Sequence, residues 1–406
     1  MTRGPLTWFL YAAFACMAFL LNGLGAVLAP LQKELGVTRG DVAFYTSVFA
    51  AGLIFVGLTG GALVARVGRS HALRLSIGAM VLGGLLFAVP GRAPTLIGDV
   101  LIGLGAALMI QLVPALLVSL HPHASTAALG EINSFASGAS VIAPLAVAAG
   151  IAAGLGWRAG YLGPAVAVLI AVLLPLGRAA LPAPPATVAE TAITAVPIFG
   201  RWIDLVLSVS VEFCMVFWAA SAIAEWHGAS AAEAPALASL FLVGMAVGRG
   251  LALPITRRIP SARNLILACV AVAAAGFAVF WTAPPLALSA AGLALTGLGV
   301  ALLYPTTVGR LVAAWPHAPD HAAARAALGS GVAIAAAPFV LGQLSDWIGL
   351  RLAFLIVPVL LALLVLRAVQ SLDELDHGQA KPAWTEGAGH HREDRPQNQH
   401  VGPNGS

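Results

Sequence analysis

Two acids stand alone in long apolar runs. Glu212 is the only charged residue between 205 and 224, and Asp99 heads a run with no further charge through 120. A carboxyl group in such a place can take up a proton from one side and release it to the other as access alternates. Holding an acid at the centre of a lipid-spanning helix costs about 2.5–3.5 kcal/mol. Both are therefore candidate proton-coupling residues, with Asp99 close enough to a run end to reach water instead. Glu131 and Arg325 are opposite charges 194 residues apart, at the same end of two apolar runs, and could pair across a gate. Uncharged groups in other runs could touch a solute: Asn22, Tyr45, Gln111, Asn133, Trp218 and Tyr304. Each serves equally well as an ordinary interhelical hydrogen-bonding group. Cys16, Cys214 and Cys269 have neither a disulfide framework nor metal-ligand spacing. No metal or cofactor is expected. The sequence holds no H-E-x-x-H, no G-x-S-x-G, no P-loop and no C-x-x-C. It reads as a protein other than an enzyme.

Composition says what must position these groups. Of 406 residues, 59% are hydrophobic and 9% charged, against about 25% charged in a soluble domain. A soluble surface cannot be covered by so few charges. Lipid removes that requirement, and a span needs about 20 apolar residues at about 1.5 Å each. The chain reads as an all-α polytopic membrane protein. Twelve helices are expected at about 6–29, 42–64, 73–90, 95–120, 126–153, 159–178, 202–224, 235–254, 264–283, 286–311, 324–345 and 351–370. The first is too long for a secretory signal and is read as an uncleaved helix. The 179–201 stretch, rich in Pro, Ala and Thr, splits the chain into six-helix groups at 1–178 and 202–372. The polar tail, 373–406, is expected to be disordered. Arginines set the orientation. Arg3, Arg66, Arg69, Arg74, Arg201, Arg257, Arg258, Arg263, Arg310 and Arg367 share one side; few basic residues fall on the other. The positive-inside rule then puts both termini in the cytoplasm of a multi-pass cell-membrane protein.

The two groups repeat each other. Gly103-Leu104-Gly105 recurs as Gly297-Leu298-Gly299, Pro122-His123-Ala124 as Pro316-His317-Ala318, and Pro144 as Pro338, each 194 residues later. Gly156-Trp157-Arg158 matches Gly349-Leu350-Arg351 at 193. A duplicated six-helix unit places a solute path between its two copies.

On these features the sequence resembles the major facilitator superfamily over about 6–372. Gly61, Arg66, Gly68 and Arg69 resemble that family's G-x-x-x-D-R-x-G-R cytoplasmic loop, with Ala65 where the family has Asp. Asp99 to Ala107 resembles its helix-4 pattern R-x-x-x-G-x-G-A-A, with Asp99 in place of the Arg. Ala143-Pro144 lacks the Gly pair of its antiporter pattern. The resemblance implies two pseudo-symmetric six-helix bundles, and a secondary transporter moving a small molecule by alternating access, with protons as coupling ion. The departures count against a multidrug exporter. Export of an amphipathic or toxic small molecule is the first expectation, and uptake of a small organic acid or nutrient the alternative. A non-transporting membrane sensor is a third. The expected partners are the solute, protons and the bilayer. No nucleic acid is expected, and the chain is expected to be a monomer.

Overall fold

The computed structural model of the chain describes residues 3–176, 181, 196–313 and 319–378. Among them every regular element is a helix. The first bundle holds α1 (Pro5–Leu35), α2 (Arg39–Val67), α3 (Arg69–Phe87), α4 (Arg92–Leu120), α5 (Ser125–Ala152) and α6 (Gly156–Leu176). The second holds α7 (Val196–His227), α8 (Glu233–Gly250), α9 (Ala252–Arg258), α10 (Ala262–Thr282), α11 (Leu286–Val300), α12 (Leu303–Ala313), α13 (Pro319–Ile348), α14 (Leu350–Ala353) and α15 (Ile356–Gly378). Among the described residues eleven helices are long and apolar enough to cross a membrane, or twelve with α8 and α9 counted as one span bent by 59°.

The second bundle has more segments because three of its spans break. In each, a proline is the third residue of the downstream piece: Pro254 in α9, Pro305 in α12 and Pro358 in α15. Proline has no N–H to give to the carbonyl four residues back, but the first turn of a helix needs no such bond. The chain therefore restarts its helix there.

The repeat is visible as packing. Gly103 lies against the backbone of Phe49 in α2, and its counterpart Gly297 against the backbone of Phe241 in α8. Gly105 meets Ser76 and Met80 of α3, and Gly299 meets Cys269 and Ala273 of α10. Any side chain at these four positions would collide with a neighbouring helix, as expected where membrane helices pack through small residues. Gly156 and Gly349 open the paired turns with φ of 83° and 80°, where a side chain is strained.

Several boundaries differ from expectation: α1 runs to Leu35 rather than 29, and α13 begins at Pro319 rather than 324. α7 begins at Val196, so 196–201 is helix rather than linker. α15 runs to Gly378, past the expected start of the tail at 373. The rest of the linker, apart from Leu181, and the tail from 379 with His390, His391 and His400 lie outside the described residues.

Candidate functional site

The bundles meet chiefly through α2 with α13, α5 with α8, and α1 with α7. Every hydrogen bond between them among the described residues lies on the first third of α2. Asp346 of α13 accepts from the backbone N–H of Arg39 (3.1 Å) and of Gly40 (2.7 Å), so an acid of one bundle caps a helix of the other. Gln343 donates to the Gly40 carbonyl at 3.1 Å, and Ser47 to that of Ala335 at 2.8 Å. Arg39 also forms an ion pair with Glu225 of α7. Deeper in, Gly25 of α1 lies against the backbone of Val216 and Phe217, and Gly331 of α13 against Ile54.

Beyond Ile54 the seam parts. Gly57, Leu58, Gly61, Ala62 and Ala65 of α2 are exposed, as are Asn133 and Ser134 of α5, Gln111 of α4, and Arg249 of α8. A side chain added at Gly57 or Gly61 would meet nothing within 4 Å. Gly61 thus does not pack here. Gly68 makes the tight joint of α2 to α3, with φ of 80°. Arg69 donates to Ser119 of α4 at 3.1 Å, fixing that joint. Arg66 is exposed.

The candidate acids fall into different settings. Glu212 is buried and paired with Arg249 at 3.3 Å; its side chain is 11% exposed and that of Arg249 38%. Tyr304 is partly exposed, beside Ser330, within electrostatic reach of both. These three share one wall of the second bundle. Asp99 does not reach water: it is fully buried, and neither carboxylate oxygen has a hydrogen-bond partner. Glu212 is also not the only deep acid. Asp204, two turns earlier on α7, is 3% exposed and accepts from Arg367 (2.7 Å) and Arg310 (3.4 Å). Between them Ser208 shares a hydrogen bond with Thr307 at 3.1 Å. Asp204, Ser208 and Glu212 are spaced by four, so they form one polar stripe down α7. That spacing was readable in the sequence; Arg249, 37 residues away, was not.

Glu131 and Arg325 are not paired in this conformation. Glu131 takes hydrogen bonds from Arg3 Nε and from the Tyr11 hydroxyl, both at 2.9 Å. The Arg325 side chain is exposed, and its carbonyl accepts from Trp202. Of the polar candidates, Gln111 and Asn133 are exposed on the parted side, Asn133 bonding back to Leu129. Asn22 donates to Ser140 at 2.9 Å and borders a small apolar gap between the bundles, lined by Ala26, Val216 and Phe241. Tyr45 is buried against Thr95 (2.7 Å), and Trp218 donates to the Pro338 carbonyl (2.9 Å). Both tie helices together and sit away from the parted seam. Among the described residues no cluster of three or more metal-ligating side chains occurs.

Two like bundles, joined at one end of their seam and apart at the other, are the architecture of a secondary transporter. A profile of the Major Facilitator Superfamily matches residues 10–217 and again 202–392; the chain belongs to that family. It is similar to plastidic glucose transporter 4 of Arabidopsis thaliana, with 31% identity over 184 residues, 43% of this chain and 33% of that one. The chain thus spans about a third of that relative's length. In fold it is similar to a bacterial homologue of the human lysosomal transporter Spinster, in an inward-facing and occupied conformation (TM-score 0.74, 13% identity, 94% of this chain and 100% of that one). It is also similar to a D-xylose-proton symporter (TM-score 0.69, 16% identity, 90% and 96%).

Proposed function

We propose that this chain carries a small, uncharged organic molecule through the seam between its bundles, coupled to protons at Glu212. The parted end, with Arg66 and Arg69, is the cytoplasmic end, which makes this conformation inward-open and puts both termini inside. The observation that carries the reading is the Glu212–Arg249 pair, because it is buried on one side and wet on the other. A proton on Glu212 removes the attraction that holds Arg249; its loss restores the pair. Such a pair can bias which end of the seam stays closed. Among the described residues the parted wall offers amides, hydroxyls and apolar surface, and no cluster of cations of the kind that clamps phosphorylated solutes. The names of the glucose and xylose relatives favour a sugar-sized nutrient. Export of an amphipathic molecule is the second reading, favoured by the exposed apolar residues Leu58, Ala62 and Ala65 on the parted wall.

The test uses proteoliposomes with an imposed pH gradient and a panel of labelled hexoses, pentoses and cationic dyes. Wild type is expected to concentrate one class only while the gradient lasts. Glu212→Gln is expected to lose accumulation and keep exchange. Accumulation by Glu212→Gln at the wild-type rate would remove Glu212 from the mechanism.

A further inference from the structure

A further cavity lies on the outer face of the first bundle, away from the seam. It is a groove of about 750 Å³ along α3, whose lining includes His71, Arg74, Leu75, Gly78, Leu82 and Leu101. One end is basic and the rest is apolar. From His71 to Leu82 the helix rises about 16 Å. Leu75 and Leu82 are each 52% exposed, and a side chain added at Gly78 would meet nothing within 4 Å, so Gly78 is the groove's open floor.

The basic end is unanswered by the protein. Arg74 has no hydrogen-bond or ion-pair partner among the described residues, and its Nε is shut off from solvent. α3 contains no acid. The acids of α2 and α4 are Asp41, in the first turn of α2, and Asp99, buried near the other end of α3. An arginine half sunk in a membrane face needs an anion, and guanidinium groups bind phosphate through paired N–H donors. A free anion would satisfy Arg74 but leave the apolar length empty. A neutral lipid would fill the length but leave the charge.

We propose that the groove binds one anionic phospholipid, its phosphate on Arg74 and His71 and one acyl chain lying over Gly78 between Leu75, Leu82 and Leu101. The site is separate from the solute path. Its affinity therefore depends on charge at residue 74 and on free volume at residue 78.

Two variants separate these dependences. Arg74→Glu removes the phosphate contact. Gly78→Leu fills the groove with a better helix former and no clash, so it is expected to fold. Native mass spectrometry of the full chain, titrated with phosphatidylglycerol, is expected to show one tightly held lipid on wild type. Each variant should bind it on the order of tenfold more weakly, the scale of one lost charge-assisted contact. Arg74→Lys should stay near wild type. Phosphatidylcholine should bind weakly to wild type and should not distinguish it from the two Arg74 variants. The proposal is overturned if Arg74→Glu and Gly78→Leu bind phosphatidylglycerol as wild type does. Displacement of the lipid by inorganic phosphate would instead make this a free-anion site. A dimer that Gly78→Leu splits would make it a contact between copies. Either result also overturns the proposal.

Discussion

Among the described residues three carboxyl groups lie buried between the helices, and they differ in what answers their charge. Asp204 has two arginines, Glu212 has one, and Asp99 has no hydrogen-bond partner. Breaking a buried pair costs about 3–5 kcal/mol, because the charge left behind is uncompensated. An acid with no partner has no such bond to lose. Asp204→Asn is therefore expected to destabilise the protein by about 3 kcal/mol, and Asp99→Asn to leave it within about 1 kcal/mol of wild type. Unfolding in detergent, followed by tryptophan fluorescence, reads both. Equal losses would mean that Asp99 carries a structural bond after all. The sequence showed two of these acids, because an acid in an apolar run is conspicuous. Asp204 was hidden by its place at a run's edge, between Arg201 and the apolar stretch, where an acid is ordinary. Only the fold puts Arg249 of α8 against Glu212.

Helices were easier to read than the contacts between them. Their number and order follow from apolar runs and breakers, and the structure keeps them. The breaks after Gly250, Val300 and Ala353 were written in Pro254, Pro305 and Pro358, yet an apolar run conceals them, since a bent span and a straight one have the same composition. The latch between α2 and α13 was not legible, because Gly40 and Asp346 are brought together only when two helices from different bundles meet. That latch makes a prediction at its own scale. Asp346 takes two N–H groups at the start of α2, and losing such a cap costs about 1–2 kcal/mol. An equilibrium between conformations then shifts roughly 5- to 30-fold. Asp346→Ala, combined with Glu225→Gln to release Arg39, is expected to part the bundles at the Arg39 end. Spin labels on α2 and α13 at that end should show a longer distance in a larger fraction of molecules. An unchanged distance distribution would mean that apolar packing at Gly25 and Gly331, rather than the latch, holds the end shut.

Across the whole molecule, the two-bundle plan was legible because duplicated glycines still do the same work, Gly103 against α2 and Gly297 against α8. Which end of the seam is closed was not, since one sequence must serve both states. The structure does show what the other state requires. Ala43, Ser47 and Ile54 of α2 already face α13. At helical spacing the same face continues through Leu58, Gly61 and Ala65, all exposed here. If the bundles rock about the solute path, this stretch receives the first turns of α13 when the seam shuts at the Arg66 end. Glu131 would then have to leave Arg3 for Arg325 to pair with it. Gly61→Trp is expected to keep wild-type stability, because its side chain enters open space. It should nevertheless abolish transport by propping that end open. A cysteine at Ser134, labelled from the Arg66 side, should stay reactive in Gly61→Trp while substrate protects it in the parent. Glu131→Arg should impair transport, and Arg325→Glu in the same chain should partly restore it. Wild-type transport by Gly61→Trp would show that α2 and α13 do not close against each other there, and the Glu131–Arg325 gate would fall with that closure.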